Sequence, residues 1–357
     1  MFKYPTLTYA AIYTIVALIG LFLFFYACNI LAARPGVVPE IELVERVAHA
    51  AYAGSTVPIQ YTPECGRYNE QVTYLLRPGR CRFERPEYDT PIEANSFGLR
   101  DDEESLDRPE ILVLGDSHAM GLGVAARDAF PSLVESALGR KTLDAGISSF
   151  GTAREMMLLQ ILDAYFDLSD LDYIILQYCQ NDVGKNIKYT RADGDLDILS
   201  HEEYQDLVRR IHLESDSFLV PGLVVFRRTT DKIWELLTGP GKAAATMQEA
   251  DAFHYAVEAN KELLGDKHLI ILDINDHNTN NWNFIESARA RFKDSELNVH
   301  FIRTSDFLTD EDYYTLDPHM LPSGHRKVAD AIIKVIERIE TSYTTALESR
   351  WLPPVAN

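Results

Sequence analysis

Short apolar runs alternate with amphipathic stretches along the second half of the chain. Residues 111–114 (Ile-Leu-Val-Leu) form one such run, which ends at Gly115 and is typical of a buried parallel strand. Similar runs predict strands at 142–147, 173–176, 268–272 and 297–302, and helical periodicity occurs at 130–138, 154–166, 249–264 and 324–341. Strands that alternate with helices predict βαβ units, so we expect an α/β fold with a parallel sheet covered by helices on both faces.

Residues 1–34 differ from the rest of the chain because they are almost free of charge. No charged side chain lies between Lys3 and Arg34, and residues 8–33 are dominated by Ala, Ile, Leu, Val and Phe. This stretch is longer than the ~20 residues that a helix needs to span a bilayer. A cleaved signal peptide is the alternative, but its apolar region is normally only about 7–15 residues long, and no small-x-small cleavage site follows here. We therefore expect residues 1–34 to be an uncleaved transmembrane helix, with the lipid bilayer as a partner.

The flanking charges and two cysteines bear on the compartment. Lys3 precedes the apolar stretch, whereas Arg34 is soon followed by acidic residues, which favours a cytoplasmic amino terminus and an exported domain. Cys65 and Cys81 are the only cysteines between the anchor and the strand pattern. In an oxidising compartment a disulfide between them would contribute about 3 kcal/mol, and two unrelated reduced cysteines are the alternative. We expect a single-pass protein of the inner, cytoplasmic membrane whose main domain lies on the periplasmic or extracytoplasmic side.

Proline usage and periodicity divide the remaining chain into segments. Residues 35–108 are rich in proline and lack long helical periodicity beyond Ala51, which predicts a stem or cap ahead of a main domain at 109–345. Residues 346–357 are expected to form a C-terminal tail.

Residues 186–248 interrupt the alternation of strands and helices within that domain. Their apolar segment, 218–226, is followed by Arg227 and Arg228, which fits a lid or a surface that dips into a membrane interface. An ordinary buried insertion is the simpler interpretation and the one we expect.

Composition and motif spacing exclude several classes of function. The formal net charge is −20, so we expect no nucleic acid as a partner. The ten histidines show no metal-ligand spacing, and we expect neither a metal nor a cofactor. Gly121-x-Gly123-x-x-Ala126 formally fits a dinucleotide fingerprint, but such glycines must follow their strand directly, and this strand stops at Gly115.

Four polar segments fall where the predicted sheet would bring them together. The first three, 115–118, 144–152 and 177–182, each follow a predicted strand, and the fourth, 317–325, leads into the last helix. Active sites of such folds gather at the carboxyl ends of the strands. A serine on the turn from a strand into a helix exposes its hydroxyl near backbone N–H groups, and acyl transfer needs a nucleophile, a base, an orienting carboxylate and oxyanion donors. The segments contain candidates for all four roles.

These segments resemble the SGNH/GDSL hydrolase superfamily over residues 95–336. Gly115-Asp116-Ser117-His118 is similar to its first block and implies Ser117 as the nucleophile. Gln180-Asn181-Asp182 is similar to the block whose Asn donates to the oxyanion, and Asp317-Pro318-His319 is similar to the block that supplies acid and base. The resemblance implies a flavodoxin-like three-layer α/β/α fold and an esterase that works through an acyl-enzyme.

Two further segments belong to this resemblance. Residues 95–100 (Asn-Ser-Phe-Gly-Leu-Arg) look like the lead-in of anchored bacterial members. The superfamily usually has Gly in its second block, where the backbone N–H joins that of the nucleophile in the oxyanion hole, and Ser149 holds that position here. A Ser does not readily adopt positive φ. The implied oxyanion donors are Ser117, Ser149 and Asn181.

Alternatives remain for the base and for the activity. His325 is a second candidate base, although it falls at the start of the predicted last helix, and Cys179 is more typical of a small buried hydrophobe than of a nucleophile. We expect a serine esterase that cleaves acetyl or similar esters on a carbohydrate or another cell-envelope substrate. An O-acyltransferase acting on an envelope polysaccharide would use the same residues, and a non-catalytic binding module is the alternative from another class.

Overall fold

Strands and helices alternate through the computed structural model, which describes residues 5–38, 41–238, 242–274 and 282–351. The helices are α1 (Pro5–Ala33), α2 (Glu42–Ser55), α3 (Phe130–Leu138), α4 (Thr152–Tyr165), α5 (Val183–Arg191), α6 (His201–Ser215), α7 (Val220–Thr238), α8 (Lys242–Glu258), α9 (Lys261–Leu264), α10 (Phe284–Arg291) and α11 (Pro322–Trp351). The strands are β1 (Gly66–Asn69), β2 (Thr73–Leu76), β3 (Gly79–Arg85), β4 (Tyr88–Ala94), β5 (Ile111–Gly115), β6 (Thr142–Gly146), β7 (Tyr173–Tyr178), β8 (His268–Asp273) and β9 (Asn298–Arg303).

The central sheet has five parallel strands in the order β6-β5-β7-β8-β9. Numbered from the first core strand, this order is 2-1-3-4-5, the flavodoxin-like arrangement. Because side chains alternate across a strand, Leu112 and Leu114 pack with α4 and α8, whereas Ile111 and Val113 pack with α3 and α11. The predicted three-layer α/β/α fold is confirmed, and each predicted core strand is present within two residues of its expected ends.

Residues 59–106 pack against this sheet instead of standing apart from it, whereas α2 before them packs against α1 and α7. After α2 they form two antiparallel hairpins, β1–β2 and β3–β4, and a disulfide joins Cys65 to Cys81. Ile59, Leu75 and Ile92 are buried in the same core cluster as Leu112. Of the two alternatives for this proline-rich segment, the packing favours a cap over an extended stem.

The apolar segment at 218–226 differs from the buried insertion expected from its sequence. Pro221, Gly222 and Val225 are buried, but other side chains in this segment are open to solvent: Phe218 (40%), Leu219 (49%), Leu223 (51%) and Phe226 (65%). Between Val220 and Thr230, the helical period sends one face of α7 inward and leaves the opposite face uncovered.

The terminal helices also extend the sequence-based picture. Residues Ile12–Ala33 of α1 have a mean hydropathy of 2.4, and this 22-residue segment is long and apolar enough to cross a membrane. The last turns of α1 nevertheless pack on the domain, with Cys28 and Ala32 buried against α2. At the other end, α11 remains helical to Trp351, so the first residues of the expected tail at 346–357 continue the helix.

Candidate active site

Ser117 lies on a tight turn at the carboxyl end of β5. A Cβ atom at Gly115 would lie 2.7 Å from Ala119 Cβ and 2.9 Å from Gln177 Cβ, so a larger residue would force the start of this turn to shift. The Asp116 N–H donates to Gln177 Oε1 (2.9 Å), and Asp116 Oδ1 accepts from the His118 N–H (2.9 Å). These contacts fix the direction in which the Ser117 side chain leaves the sheet.

The helix expected directly after Ser117 does not form, which corrects the sequence-based expectation. The chain makes irregular turns from Asp116 to Val124, because Gly121 (φ 69°) and Gly123 (φ 93°) take left-handed conformations that end a helix. Backbone donors near Ser117 therefore come from a turn instead of a helix amino terminus.

Arg100 binds three backbone carbonyls of this turn. Its buried guanidinium donates to the carbonyls of Met120 (2.9 Å), Gly121 (2.5 Å) and Val124 (2.7 Å). Arg100 ends the 95–100 lead-in, in which Asn95 Oδ1 accepts the N–H groups of Gly98 and Leu99 (3.0 Å each). The lead-in thus organises the loop that carries Ser117.

His319 contacts both Ser117 and Asp317. Its Nε2 lies 2.7 Å from Ser117 Oγ, and its Nδ1 hydrogen-bonds Asp317 Oδ1. With the proton on Nδ1 donated to the carboxylate, Nε2 accepts the hydrogen bond from the serine hydroxyl. The structure therefore brings together the three residues that the resemblance assigned to catalysis, from segments 200 residues apart.

Asp317 is buried yet ionised. Burial alone would raise its pKa, but the His319 charge and the hydrogen bonds from His319 and Tyr52 outweigh burial and hold the pKa well below its usual range. A carboxylate in this state can orient the imidazole and stabilise it when it is protonated.

Two tyrosines that sequence reasoning missed complete the shell of Asp317. The hydroxyl groups of Tyr52 (2.5 Å) and Tyr88 (3.1 Å) both donate to Asp317 Oδ2, the oxygen that does not bond the His319 ring. Burial, followed by the Asp317 charge, raises the pKa of both tyrosines, so both hydroxyl groups keep their protons. No local motif marks either residue, because they lie in α2 and β4, far from Asp317 in sequence.

Glu87 fixes the loop that carries Asp317. Its carboxylate accepts the backbone N–H groups of Thr315 (2.7 Å), Leu316 (2.8 Å) and Asp317 (2.7 Å). The acid side of the site is therefore built largely by the proline-rich segment at 35–108.

The backbone N–H groups of Ser117 and Ser149 have no hydrogen-bond acceptor among the described residues. Ser149 adopts φ 62°, a left-handed conformation that glycine takes up much more readily than serine. Both residues line the cavity described below, so both N–H groups are available to a bound oxyanion.

The Asn181 side chain, unlike the two backbone N–H groups, is already engaged in hydrogen bonds. Its Nδ2 donates to Asp116 Oδ2 (3.1 Å) and to Cys179 Sγ (3.2 Å), and its Oδ1 accepts from Lys185 Nζ (3.0 Å). To donate to an oxyanion, Asn181 must exchange one of these two contacts for the substrate oxygen. The Cys179 thiol is buried and accepts this hydrogen bond.

The structure places His325 away from the nucleophile. It is buried, and its Nδ1 accepts the backbone N–H of Phe130 (3.2 Å). Burial lowers its pKa to about 3, with smaller effects from the charges of His118 and Arg100. His325 therefore stays neutral and its ring packs against Phe130.

A cavity of about 400 Å³ opens beside Ser117. Ser117, Ser149 and His319 line it together with Tyr88, Arg85 and Arg228. Asn181 is not among its lining residues. This volume lies toward the lower end of the range of small-molecule sites. Within the described chain, no group of three His, Cys, Asp or Glu side chains is arranged to hold a metal ion.

Comparisons with known proteins give matches of structure but not of sequence. No family model and no curated protein matches the sequence. Among solved structures, the chain is similar to a protein assigned to the G-D-S-L lipolytic family from Desulfitobacterium hafniense DCB-2, with 14% identity and a TM-score of 0.33, over 63% of this chain and 98% of that one.

Two carbohydrate esterases also match. One is a family 2 enzyme with a carbohydrate binding domain from Corynascus thermopiles (Myceliophthora fergusii), at 14% identity and a TM-score of 0.38, covering 64% of this chain and 66% of that one. The other is an acetyl xylan esterase from the rumen bacterium Butyrivibrio proteoclasticus, at 11% identity and a TM-score of 0.38, covering 66% of this chain and 65% of that one. Sequence identities and TM-scores this low carry no functional argument, so function has to be inferred from the geometry of the site.

Proposed function

We propose that this protein is a serine esterase that forms an acyl-enzyme on Ser117. The observation that carries the proposal is the continuous hydrogen-bonded chain from Ser117 Oγ through His319 to Asp317. In the first step, His319 Nε2 takes the hydroxyl proton while Oγ attacks the ester carbonyl. The protonated imidazole then gives that proton to the leaving alkoxide, and water repeats the sequence to release the acid and restore Ser117.

The oxyanion of each tetrahedral intermediate would be bound by the N–H groups of Ser117 and Ser149. Both groups lack an acceptor within the described part of the chain, so neither has to break a hydrogen bond when the negative charge develops. Asn181 would act as the third donor after releasing Asp116 or Cys179.

The substrate we propose is an acetyl or other short acyl ester on a carbohydrate or other cell-envelope molecule. The cavity of about 400 Å³ has room for a short acyl group beside Ser117 together with part of the molecule that carries it. The acetyl xylan esterase among the similar structures is described as acting on an acetylated polysaccharide, and this chain is proposed to act on an ester of that general kind.

We place the enzyme at a membrane, with α1 as an uncleaved single-pass anchor and the domain outside the cytoplasm. The length and hydropathy of Ile12–Ala33 support the anchor, and the Cys65–Cys81 disulfide supports an oxidising compartment.

The proposed chemistry is tested with the full-length protein in nanodiscs. We expect turnover of p-nitrophenyl acetate and covalent labelling by a fluorophosphonate, and both should disappear in Ser117→Ala. Ser148→Ala is the matched control, because Ser148 lines the same cavity but has no proposed part in the chemistry. Labelling that persists in Ser117→Ala would refute the assignment. A polysaccharide acceptor that becomes acylated faster than the ester is hydrolysed would turn the proposal toward an acyltransferase.

A further inference from the structure

The start of α7 presents an apolar face to solvent beside the first helix of the chain. Leu219, Leu223 and Phe226 recur at helical spacing and are 49%, 51% and 65% exposed. Phe218 precedes them and is 40% exposed. Large apolar side chains grouped in this way mark a surface that contacts another apolar phase.

The start of α7 packs closely against α1. The Phe218 ring lies 5.8 Å from the Phe22 ring and 6.4 Å from the Phe25 ring, and Asn29 Nδ2 donates to the Phe218 carbonyl (2.9 Å). A Cβ atom at Gly222 would lie only 2.2 Å from Phe25 Cδ1, so glycine lets the two helices touch. The exposed apolar surface of α1 therefore continues onto α7.

The exposure of α1 changes at the level of this contact. Phe22 and Phe24 are 58% and 39% exposed, whereas Cys28 and Ala32 are 1% and 3% exposed beneath the domain. The domain thus covers the end of α1, whereas the described side chains between Tyr9 and Phe24 lie outside it. About 20 helical residues span ~30 Å, the thickness of the hydrocarbon core of a bilayer.

We propose that residues 218–226 insert into the membrane interface beside α1, with the lipid bilayer as the occupant of this apolar face. The inference rests on the proposed anchor, since it takes residues 5–24 as the membrane span. Phe218, in contact with Phe22 and Phe25, then stands where the helix leaves the hydrocarbon. Arg227 and Arg228 follow directly, at the level of the lipid headgroups, where basic side chains are favourable.

The consequence for the site is that the Ser117 cavity lies at the membrane surface. Arg228 lines that cavity, so α7 supplies both the membrane contact and part of the cavity wall. Cys28 and Ala32 of α1 also share a buried cluster with Tyr52, which donates to Asp317, and with Leu316, which precedes Asp317 in the chain. The ester that reaches Ser117 is therefore one presented at the bilayer, on a lipid or on a polymer lying against it.

The test uses fluorescent labelling of the full-length protein at single introduced cysteines. The native thiols of Cys28 and Cys179 are buried and Cys65 is joined to Cys81, so an unmodified chain should take up little label. The test variant is Phe226→Cys. The membrane reference is Leu18→Cys on α1 (60% exposed), and the solvent control is Tyr165→Cys (67% exposed) at the end of α4, the helix that returns the chain to the amino ends of the strands.

Each variant is labelled with an environment-sensitive NBD fluorophore and placed in nanodiscs that contain lipids carrying a doxyl quencher near the headgroup. We expect the label at 226 to emit at shorter wavelength and to be quenched several-fold more strongly than the label at 165. Quenching at 18 with none at 226 would overturn the inference and leave the anchor standing. The absence of quenching at both positions would overturn both, and circular dichroism checks that each variant is folded.

Discussion

The hydroxyl of Tyr52 donates to Asp317 Oδ2 at 2.5 Å, across 265 residues of sequence. The contact joins α2, which packs against α1, to the loop that carries the proposed base and its carboxylate. Tyr88 reaches the same oxygen from β4, so two residues from the proline-rich segment hold the carboxylate that orients His319.

Removal of this hydroxyl should slow catalysis without weakening substrate binding. Tyr52→Phe leaves Tyr88 as the only hydroxyl on Oδ2, so we expect kcat to fall about tenfold, the ~1.4 kcal/mol expected from a hydrogen bond to a charged group. KM should stay nearly constant, because Tyr52 positions Asp317 and not the ester. Steady-state kinetics with p-nitrophenyl acetate measure the two constants.

Tyr178→Phe is the matched control for Tyr52. Tyr178 is buried and also donates to a carboxylate, Glu249 Oε1 at 3.0 Å, but it is not part of the Asp317 shell. Its variant should lose comparable stability and keep its kcat. Equal losses of kcat in both variants would mean that Tyr52 acts only through folding.

Asp317 and His319 should behave as one catalytic unit. Asp317→Asn should lower kcat, by as much as ~10⁴-fold if this site resembles a serine protease triad, and His319→Ala should be at least as damaging. The double variant should be no worse than the more severe single one, because residues that act as a unit are not additive. Fully additive losses in a double-mutant cycle would show that the two side chains work separately.

The stability of the domain should depend on the ionisation of Asp273. Burial raises the pKa of this side chain to about 7, although it accepts the Thr304 N–H at 2.9 Å. The unfolded chain has the ordinary value near 3.9, so the contribution of Asp273 is present below pH ~4 and is lost as the pH rises to about 7.

Asp273→Asn keeps the acceptor for Thr304 and removes the titration. The variant should gain stability relative to the parent as the pH rises from 4 toward 7, by at most roughly 1.4 kcal/mol per pH unit, and the difference should level off above pH 7. Urea unfolding of the two proteins at several pH values measures this difference. A difference that stays constant from pH 4 to 8 would contradict the raised pKa.

The Cys65–Cys81 disulfide should stabilise the cap segment. It closes a loop with a sequence separation of 16 residues, for which the chain-entropy argument gives about 3 kcal/mol. We expect Cys65→Ala/Cys81→Ala to unfold at a lower temperature than the parent in differential scanning fluorimetry. A reducing agent should lower Tm in the parent alone, and an equal effect on the double variant would place its origin elsewhere.

Much of the fold was accessible from the sequence because its signals are local. A buried parallel strand such as β5 is a short apolar run bounded by a turn residue. In the helices between the strands, apolar residues recur about every 3.6 positions. Predictions from periodicity were wrong at two places, where the conformation or exposure of the segment is not set by its apolar pattern. Gly121 and Gly123 end the helix expected after Ser117, and the uncovered face of α7 has the composition of a buried segment.

The sequence by itself determined the α/β architecture through local pattern, and its resemblance to the SGNH/GDSL superfamily singled out Ser117, Asp317 and His319. Only the tertiary structure decided that His319, and not His325, contacts Ser117, because which imidazole faces a hydroxyl depends on the path of a loop and the packing of a helix. Tertiary structure also added Tyr52, Glu87 and Tyr88 to the site. A tyrosine or glutamate carries no local mark of the partner it will meet, and hydrogen bonds across more than two hundred residues exist only after the core has closed.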